Sequence, residues 1–200
     1  GLTIGDEIRP HPKDRHEYLD ALRYAMKKAP APMPEVEGLP FSGGLVGVSG
    51  YDVVRLFERL PQTTIPQADI PEVAFCATSS ALVFDHLTRR VALLHDGPDA
   101  ERVALRKEVI RLLRGAIPAI GRDVRISVPE AGMSESDYGD RVDACKEHIV
   151  AGDIYQIVLS VLFSGRTNVS PFEVYRALRL LNPSPYMFFF EFGDLKVAGS

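Results

Sequence analysis

Prolines and glycines interrupt this chain so often that only short elements fit between them, with 15 prolines and 16 glycines spread over 200 residues. Proline removes a backbone donor and restrains the residue before it, while glycine weakens any helix or strand interior. The sharpest break, Ala29-Pro30-Ala31-Pro32-Met33-Pro34, is too proline-rich for a helix or a central strand and reads as an extended connector. It closes a helix that Asp14 is placed to cap, with Tyr18, Leu19, Leu22, Ala25 and Met26 on its apolar side. After the connector, residues 41–51 combine β-forming side chains with Gly43, Gly44, Gly47 and Gly50, a pattern suited to a strand lying close to another backbone. Residues 53–59 follow as a short helical stretch, stopped by Leu60-Pro61.

From Pro71 the period shortens to two. Residues 73–77, 81–85 and 91–95 read as neighbouring antiparallel strands, the last two joined through Asp85-His86 and a basic turn. Asp99 is expected to cap a helix with Val103, Val109, Ile110 and Leu113 on one side and Gly115 at its close. Ser134 or Ser136 opens a helix over 138–151 that ends at Gly152, and 154–163 continues as a β-rich run. Ser170-Pro171-Phe172-Glu173 is a helix start, with Phe172, Tyr175, Leu178 and Leu181 expected inside and Asn182-Pro183 as the stop. Residues 186–192 and 195–198 flank Gly193-Asp194, a tight hairpin turn. Strands mixed with separate helices, without regular alternation, predict an α+β fold of mainly antiparallel sheets with flanking helices.

The totals exclude several classes. Hydrophobic residues make up 46% and charged residues 25%, a globular composition. A net charge of −4, with no Lys/Arg run longer than the pairs Lys27-Lys28 and Arg89-Arg90, argues against nucleic acid or an anionic membrane as partner. No apolar stretch approaches the roughly 20 residues of a membrane span, and no secretion pattern opens the chain, so a cytoplasmic location is expected. Cys76 and Cys145 read as ordinary buried thiols, and Asn168-Val169-Ser170 as a turn. His11, His16, His95 and His148 lack ligand spacing, so no metal site is expected within the chain. Asp85-His86 reads as a solvated corner or a local hydrogen bond. Gly43, Gly44 and Gly47 lack the Lys-Ser/Thr ending of a phosphate loop, and tight backbone packing accounts for them. Gly1 in place of an initiator Met, and Ser200 arriving just after a strand pattern, read as the ends of an internal piece of a longer protein.

Three blocks, in order, resemble the large-subunit family of anthranilate synthases within the chorismate-utilising enzymes. The first is Gly43-Gly44-Leu45-Val46-Gly47 with Gly50-Tyr51-Asp52, and the second is Val83-Phe84-Asp85-His86-Leu87. The third runs from Ala151-Gly152-Asp153-Ile154-Tyr155-Gln156 to Asn182-Pro183-Ser184-Pro185-Tyr186-Met187. The resemblance implies that 1–130 is an N-terminal regulatory-type α+β portion and that 131–200 begins the chorismate-binding domain. The implied reaction is that of a lyase: ammonia adds to chorismate with Mg2+ assistance, and pyruvate is lost to leave anthranilate for tryptophan biosynthesis. Ammonia is supplied in such families by a glutamine amidotransferase subunit.

Residue by residue, the resemblance places Pro185, Tyr186 and Met187 against the feedback inhibitor L-tryptophan. A tyrosine ring and a thioether suit an indole face. From composition alone the same triplet reads as a turn followed by a core strand. Gln156 stands where water-using relatives carry a lysine base. An amide has no basic lone pair near neutral pH, so Gln156 fits an enzyme whose nucleophile is ammonia. Read without the family, Gln156 is a polar side chain facing a neighbouring strand or solvent. Val161-Leu162-Phe163 departs from the Gln-Arg-Phe or Arg-Arg-Phe usual after Ser160 and loses a cation there.

The resemblance also places the serine-containing inhibitor segment upstream of Gly1. The chorismate contacts, the catalytic His and the Mg2+ ligands fall downstream of Ser200, so the 200 residues alone are expected to be inactive. Rival readings are an aminodeoxychorismate, isochorismate or salicylate synthase, and a non-catalytic amino-acid-binding regulatory module. Exposed strand edges would favour self-association into a homo-oligomer.

Overall fold

The computed structural model describes residues 2–62, 70–117 and 123–200. The chain divides into two compact units, 1–117 with 190–197, and 118–189 with 198–200. All the paired strands among the described residues form two-stranded sheets, and helices flank them, in keeping with the expected α+β class.

The first unit opens with a hairpin of β1 (Leu2–Ile4) and β2 (Glu7–Arg9), which turns at Gly5, where φ is +58°. Sequence reading overlooked it, although Gly5-Asp6 between two apolar-alternating triplets is a two-residue turn signal. Helix α1 (Arg15–Lys28) starts as expected: the Asp14 carboxylate accepts from His16 N at 2.8 Å and Glu17 N at 3.0 Å. Glu17 reaches back to accept from Lys13 N at 2.9 Å, tying the residue before the cap to the first turn. Tyr18, 7% exposed, ties α1 to its neighbours through Ser49 Oγ at 3.3 Å and an edge-on contact with Phe57, ring centroids 6.1 Å apart.

Strand β3 (Leu45–Ser49) pairs antiparallel with β4 (Val73–Ala77), placing Gly47 opposite Phe75. A Cβ on Gly47 would fall onto the Ala74 carbonyl oxygen and 2.7 Å from Phe75 Cα, which is the close backbone approach its glycine pattern announced. The expected helical stretch appears as a 3-10 helix, Tyr51–Leu56. Strands β5 (Ser80–Asp85) and β6 (Arg90–His95) form a separate antiparallel pair. The three-strand reading is corrected here, because β4 takes β3 as its partner and leaves β5 to β6.

The Asp85 corner is a local hydrogen-bonded turn. Its carboxylate accepts from Leu87 N at 2.9 Å, Thr88 N at 3.3 Å and Thr88 Oγ1, and Thr88 chiefly holds the acid below its ordinary range. Helix α2 (Asp99–Leu113) begins one residue earlier than expected. Asp99 is inside the helix and pairs with Arg102 at 2.7 Å, while the Pro98 carbonyl accepts from Glu101 N and Arg102 N. Cys76 is exposed and Cys145 half-buried, which corrects the expectation of buried thiols: β4 has a covered face only at its first residues.

Glu7 anchors the first hairpin to α1. Its carboxylate accepts from Lys28 Nζ, from Tyr24 Oη at 2.8 and 2.9 Å, and from Arg9 Nη2 at 3.2 Å. Lys28 first, then Tyr24 and Arg9, hold the Glu7 carboxyl down at about 2 from an ordinary 4.5. The folded pKa is the lower one, so this clasp contributes fully above about pH 4.5 and is lost as pH falls through about 2. The Tyr24 ring signals in an NMR titration should therefore move between those limits in the wild type and stay flat in Glu7→Gln. A wild-type titration without that transition would refute the clasp.

In the second unit, β7 (Glu130–Ala131) pairs with β8 (Phe163–Ser164). The pairing extends through Gly132 N to Leu162 O at 2.7 Å, Ser127 N to Arg166 O at 2.8 Å and an Ile126–Thr167 bridge. Asn168 closes it, with its amide oxygen accepting from Arg125 N and its amide nitrogen donating to Asp123 O, each at 2.8 Å. The β-rich run expected over 154–163 is corrected accordingly. Its ladder begins only at Leu162, because the partner segment 125–132 faces 162–168.

Helix α4 (Pro171–Leu181) has Pro171 at its start and Asn182 at its close, as expected. The Ser170 hydroxyl makes no capping bond, and Glu173 pairs with Arg176 at 2.9 Å. Phe172, Tyr175 and Phe189 form an aromatic cluster with centroids 5.3 to 6.1 Å apart. Phe172 remains 49% exposed and Leu181 83%, which corrects their expected burial. Strands β9 (Phe188–Phe192) and β10 (Leu195–Gly199) pair through the Gly193-Asp194 turn.

Candidate functional site

Gln156 follows a helix end closed by both backbone and side-chain bonds. Helix α3 (Glu135–Ala151) starts at Ser134, whose hydroxyl accepts from Asp137 N at 3.0 Å, and this settles the cap between Ser134 and Ser136. It stops at Gly152, where φ is +83°, a left-handed conformation that glycine adopts without a Cβ penalty. Gly152 N donates to Ile149 O at 3.1 Å, and Asp153 N to His148 O at 3.0 Å. His148 Nδ1 and Asp153 Oδ2 lie 2.8 Å apart, adding a side-chain bond across the same turn.

Beyond this clasp, residues 154–161 make no hydrogen bond among the described residues. Tyr155 is 93% exposed, and Gln156 is exposed beside it on a shallow hollow lined by residues 153–158. Among the described residues, neither the side-chain amide of Gln156 nor its backbone has a hydrogen-bond partner.

Pro185 and Tyr186 occupy the turn between α4 and β9, where Tyr186 N donates to Ser184 Oγ at 3.4 Å. The Tyr186 ring stands 84% exposed and Met187 is half-buried just before the strand. The strand itself begins at Phe188, two residues later than expected. No hydrogen bond or ring contact joins Gln156 to residues 185–187, so the two candidate positions are separate features here.

Carboxyls whose protonation is displaced serve local structure. Glu7 holds the first hairpin, Asp14 caps α1, Asp85 closes its corner and Glu108 pairs with Arg111. Among the described residues no three His, Cys, Asp or Glu side chains gather closely enough to hold a metal ion. Among the described residues no helix is long and apolar enough to cross a membrane.

Fold and sequence together define the class. The family described as chorismate binding enzyme matches residues 3–200, and the chain belongs to that family. It is 38% identical over 194 residues to anthranilate synthase component 1 of Streptomyces coelicolor, covering 88% of this chain and 37% of that protein. The Thermus thermophilus anthranilate synthase component 1 is 36% identical over 189 residues, with 91% and 40% covered. The crystal structure of anthranilate synthase component I from Streptococcus pneumoniae matches with a TM-score of 0.70 at 30% identity, covering 90% of this chain and 42% of that one. The chain thus spans well under half the length of these relatives.

The His148–Asp153 clasp went unnoticed in the sequence. A histidine late in the helix, followed across Gly152 by an acid, was the available signal.

Proposed function

We propose that the protein carrying this chain is an anthranilate synthase large subunit, converting chorismate and ammonia to anthranilate and pyruvate. The carrying observation is the 36–38% identity to proteins of that name across 88–91% of this chain. In this reading residues 1–130 are the regulatory-type portion and 131–200 open the chorismate-binding domain. The protein works in the cytoplasm, and a glutamine amidotransferase subunit delivers the ammonia.

Gln156 contributes by what it cannot do. A lysine at this position would act as a base and draw a proton from water, whereas the amide leaves water unactivated and lets the stronger nucleophile, ammonia, add. The exposure of Gln156 on its shallow hollow supports this role. Pro185, Tyr186 and Met187 form part of an L-tryptophan inhibitor site, in which the exposed Tyr186 ring meets the indole. Mg2+ is held by residues beyond those of this chain and supplies charge neutralisation at the substrate.

The test is anthranilate fluorescence from the complete enzyme given chorismate, Mg2+ and ammonium, with and without tryptophan. Product suppressed by tryptophan is the expected result. Gln156→Lys should lower anthranilate formation at least ~10-fold, a loss of about 1.4 kcal/mol of transition-state stabilisation. Tyr186→Ala should raise the tryptophan concentration for half-inhibition several-fold while turnover stays near wild type. A well-folded enzyme that yields no anthranilate would shift the assignment to the aminodeoxychorismate or isochorismate type. Unchanged inhibition in Tyr186→Ala would remove the tryptophan assignment.

A further inference from the structure

We propose that His148 and Asp153 are positioning residues, whose clasp across Gly152 sets the direction in which the Gln156 segment leaves α3. The functional half of this proposal rests on the reading of Gln156 given above. Two bonds close the clasp: Asp153 N to His148 O at 3.0 Å, and His148 Nδ1 to Asp153 Oδ2 at 2.8 Å. They run in parallel around a left-handed residue, so the backbone angles at Gly152 and Asp153 are pinned from both the main chain and the side chains. The next tie after Asp153 is Leu162 O, bonded to Gly132 N at 2.7 Å, and residues 154–161 contribute none of their own among the described residues. Among the described residues the hydrogen-bonded anchor nearer to Gln156 is therefore the clasp.

Distance makes the near anchor matter. Three residues of extended chain reach at most ~10 Å, so a 30° change of direction at Asp153 would carry the Gln156 Cα through roughly 5 Å. Misplacement by about 1 Å is enough to cost up to roughly 100-fold in rate at a catalytic position. Both side chains of the clasp are more than half exposed, at 64% and 61%, so solvent screens their charge attraction. Their effect is geometric, and it will be read in the placement of Gln156 more than in global stability. The imidazole also sits at the carbonyl end of α3, where a donor is favoured by the helix dipole and by unsatisfied carbonyls.

The experiment pairs a structural and a functional readout in the complete enzyme. Limited chymotryptic cleavage after Tyr155 reports whether the segment is tethered; Asp153→Ala and His148→Ala should each accelerate it at least ~3-fold. His148→Asn, which keeps an amide donor near the Nδ1 position, should restore the wild-type rate. Ammonia-dependent kcat should fall roughly 3- to 10-fold in Asp153→Ala, with the chorismate KM held. In a Gln156→Ala background the same change should add nothing further, because its effect passes through Gln156.

Unchanged cleavage in both alanine variants would overturn the proposal, as would strictly additive losses in the double variant. If cleavage accelerates but Gln156→Ala itself has wild-type turnover, the clasp stands as the tether of the segment and a placement-dependent role of the Gln156 amide is what fails; nucleophile choice is then decided by Gln156→Lys alone.

Discussion

Gly47→Val is expected to abolish the β3–β4 pairing. The Cβ position at Gly47 is already filled by the Ala74 carbonyl oxygen and lies 2.7 Å from Phe75 Cα and 2.8 Å from Phe75 Cδ1. A clash with the tip of a flexible side chain can be relieved by rotation, but two of these three atoms are backbone. Relief requires the strands to separate, and the Leu45–Ser49 ladder opposite Val73–Ala77 is broken from its centre outward. Overpacking in a well-packed interior costs typically 1–3 kcal/mol, and a backbone clash in mid-ladder belongs at or above about 3 kcal/mol. Urea unfolding with far-UV circular dichroism checks this directly. The variant should show a lower midpoint and less strand signal before the transition, and a wild-type midpoint would mean that the strands do not approach this closely.

The elements legible in the sequence are those fixed by neighbours a few residues away. Asp14 before α1, Ser134 before α3, Gly152 after it and Asn182-Pro183 after α4 each act within one helical turn, and each stands where the residue types place it. Glycine spacing in 43–50 likewise foretold a close backbone neighbour, though not which one. What failed depends on distant partners. The apolar run from Ile154 looks like a strand, yet its pairing starts at Leu162 because 125–132 lies opposite 162–168. Phe172 and Leu181 have core-like spacing, but burial needs a second surface, and the nearest aromatic partners on β9 cover only part of that face. Asp99 lost its cap role to the carbonyl of Pro98, a one-residue shift that local preference alone does not resolve.

Of the candidate site, Gln156 and Pro185-Tyr186-Met187 were visible only through family likeness; their residue types by themselves are those of an ordinary exposed loop and turn. The clasp before Gln156 is a matter of three-dimensional geometry. It emerges once His148 and Asp153 are seen at 2.8 Å.

Leu94→Ala should destabilise the first unit by about 2–5 kcal/mol, the range for emptying a buried leucine site. Leu94 is 1% exposed, the one fully buried large side chain among the described residues, and it lies opposite Ala81 in the β5–β6 ladder. Alanine already faces it, so a second alanine leaves a gap that no large side chain at the paired position can fill.

The adjacent residue makes the loss spread. His95 exchanges backbone bonds with Met33 at 2.9 and 3.0 Å, and its Nδ1 lies 2.8 Å from Ser80 Oγ. A Cβ on Gly97 would come within 2.6 Å of its Nε2, so the ring has little room to move. Slackening β6 at position 94 therefore loosens the proline connector's only β-bridge in the described residues as well as the hairpin. The control is Leu87→Ala, at a side chain 93% exposed, where the change should stay within about 0.5 kcal/mol. Against a typical total stability of roughly 5–15 kcal/mol the Leu94 variant should show a clearly lowered urea midpoint. Equal midpoints for the two variants would mean that Leu94 is not the packing centre of this unit.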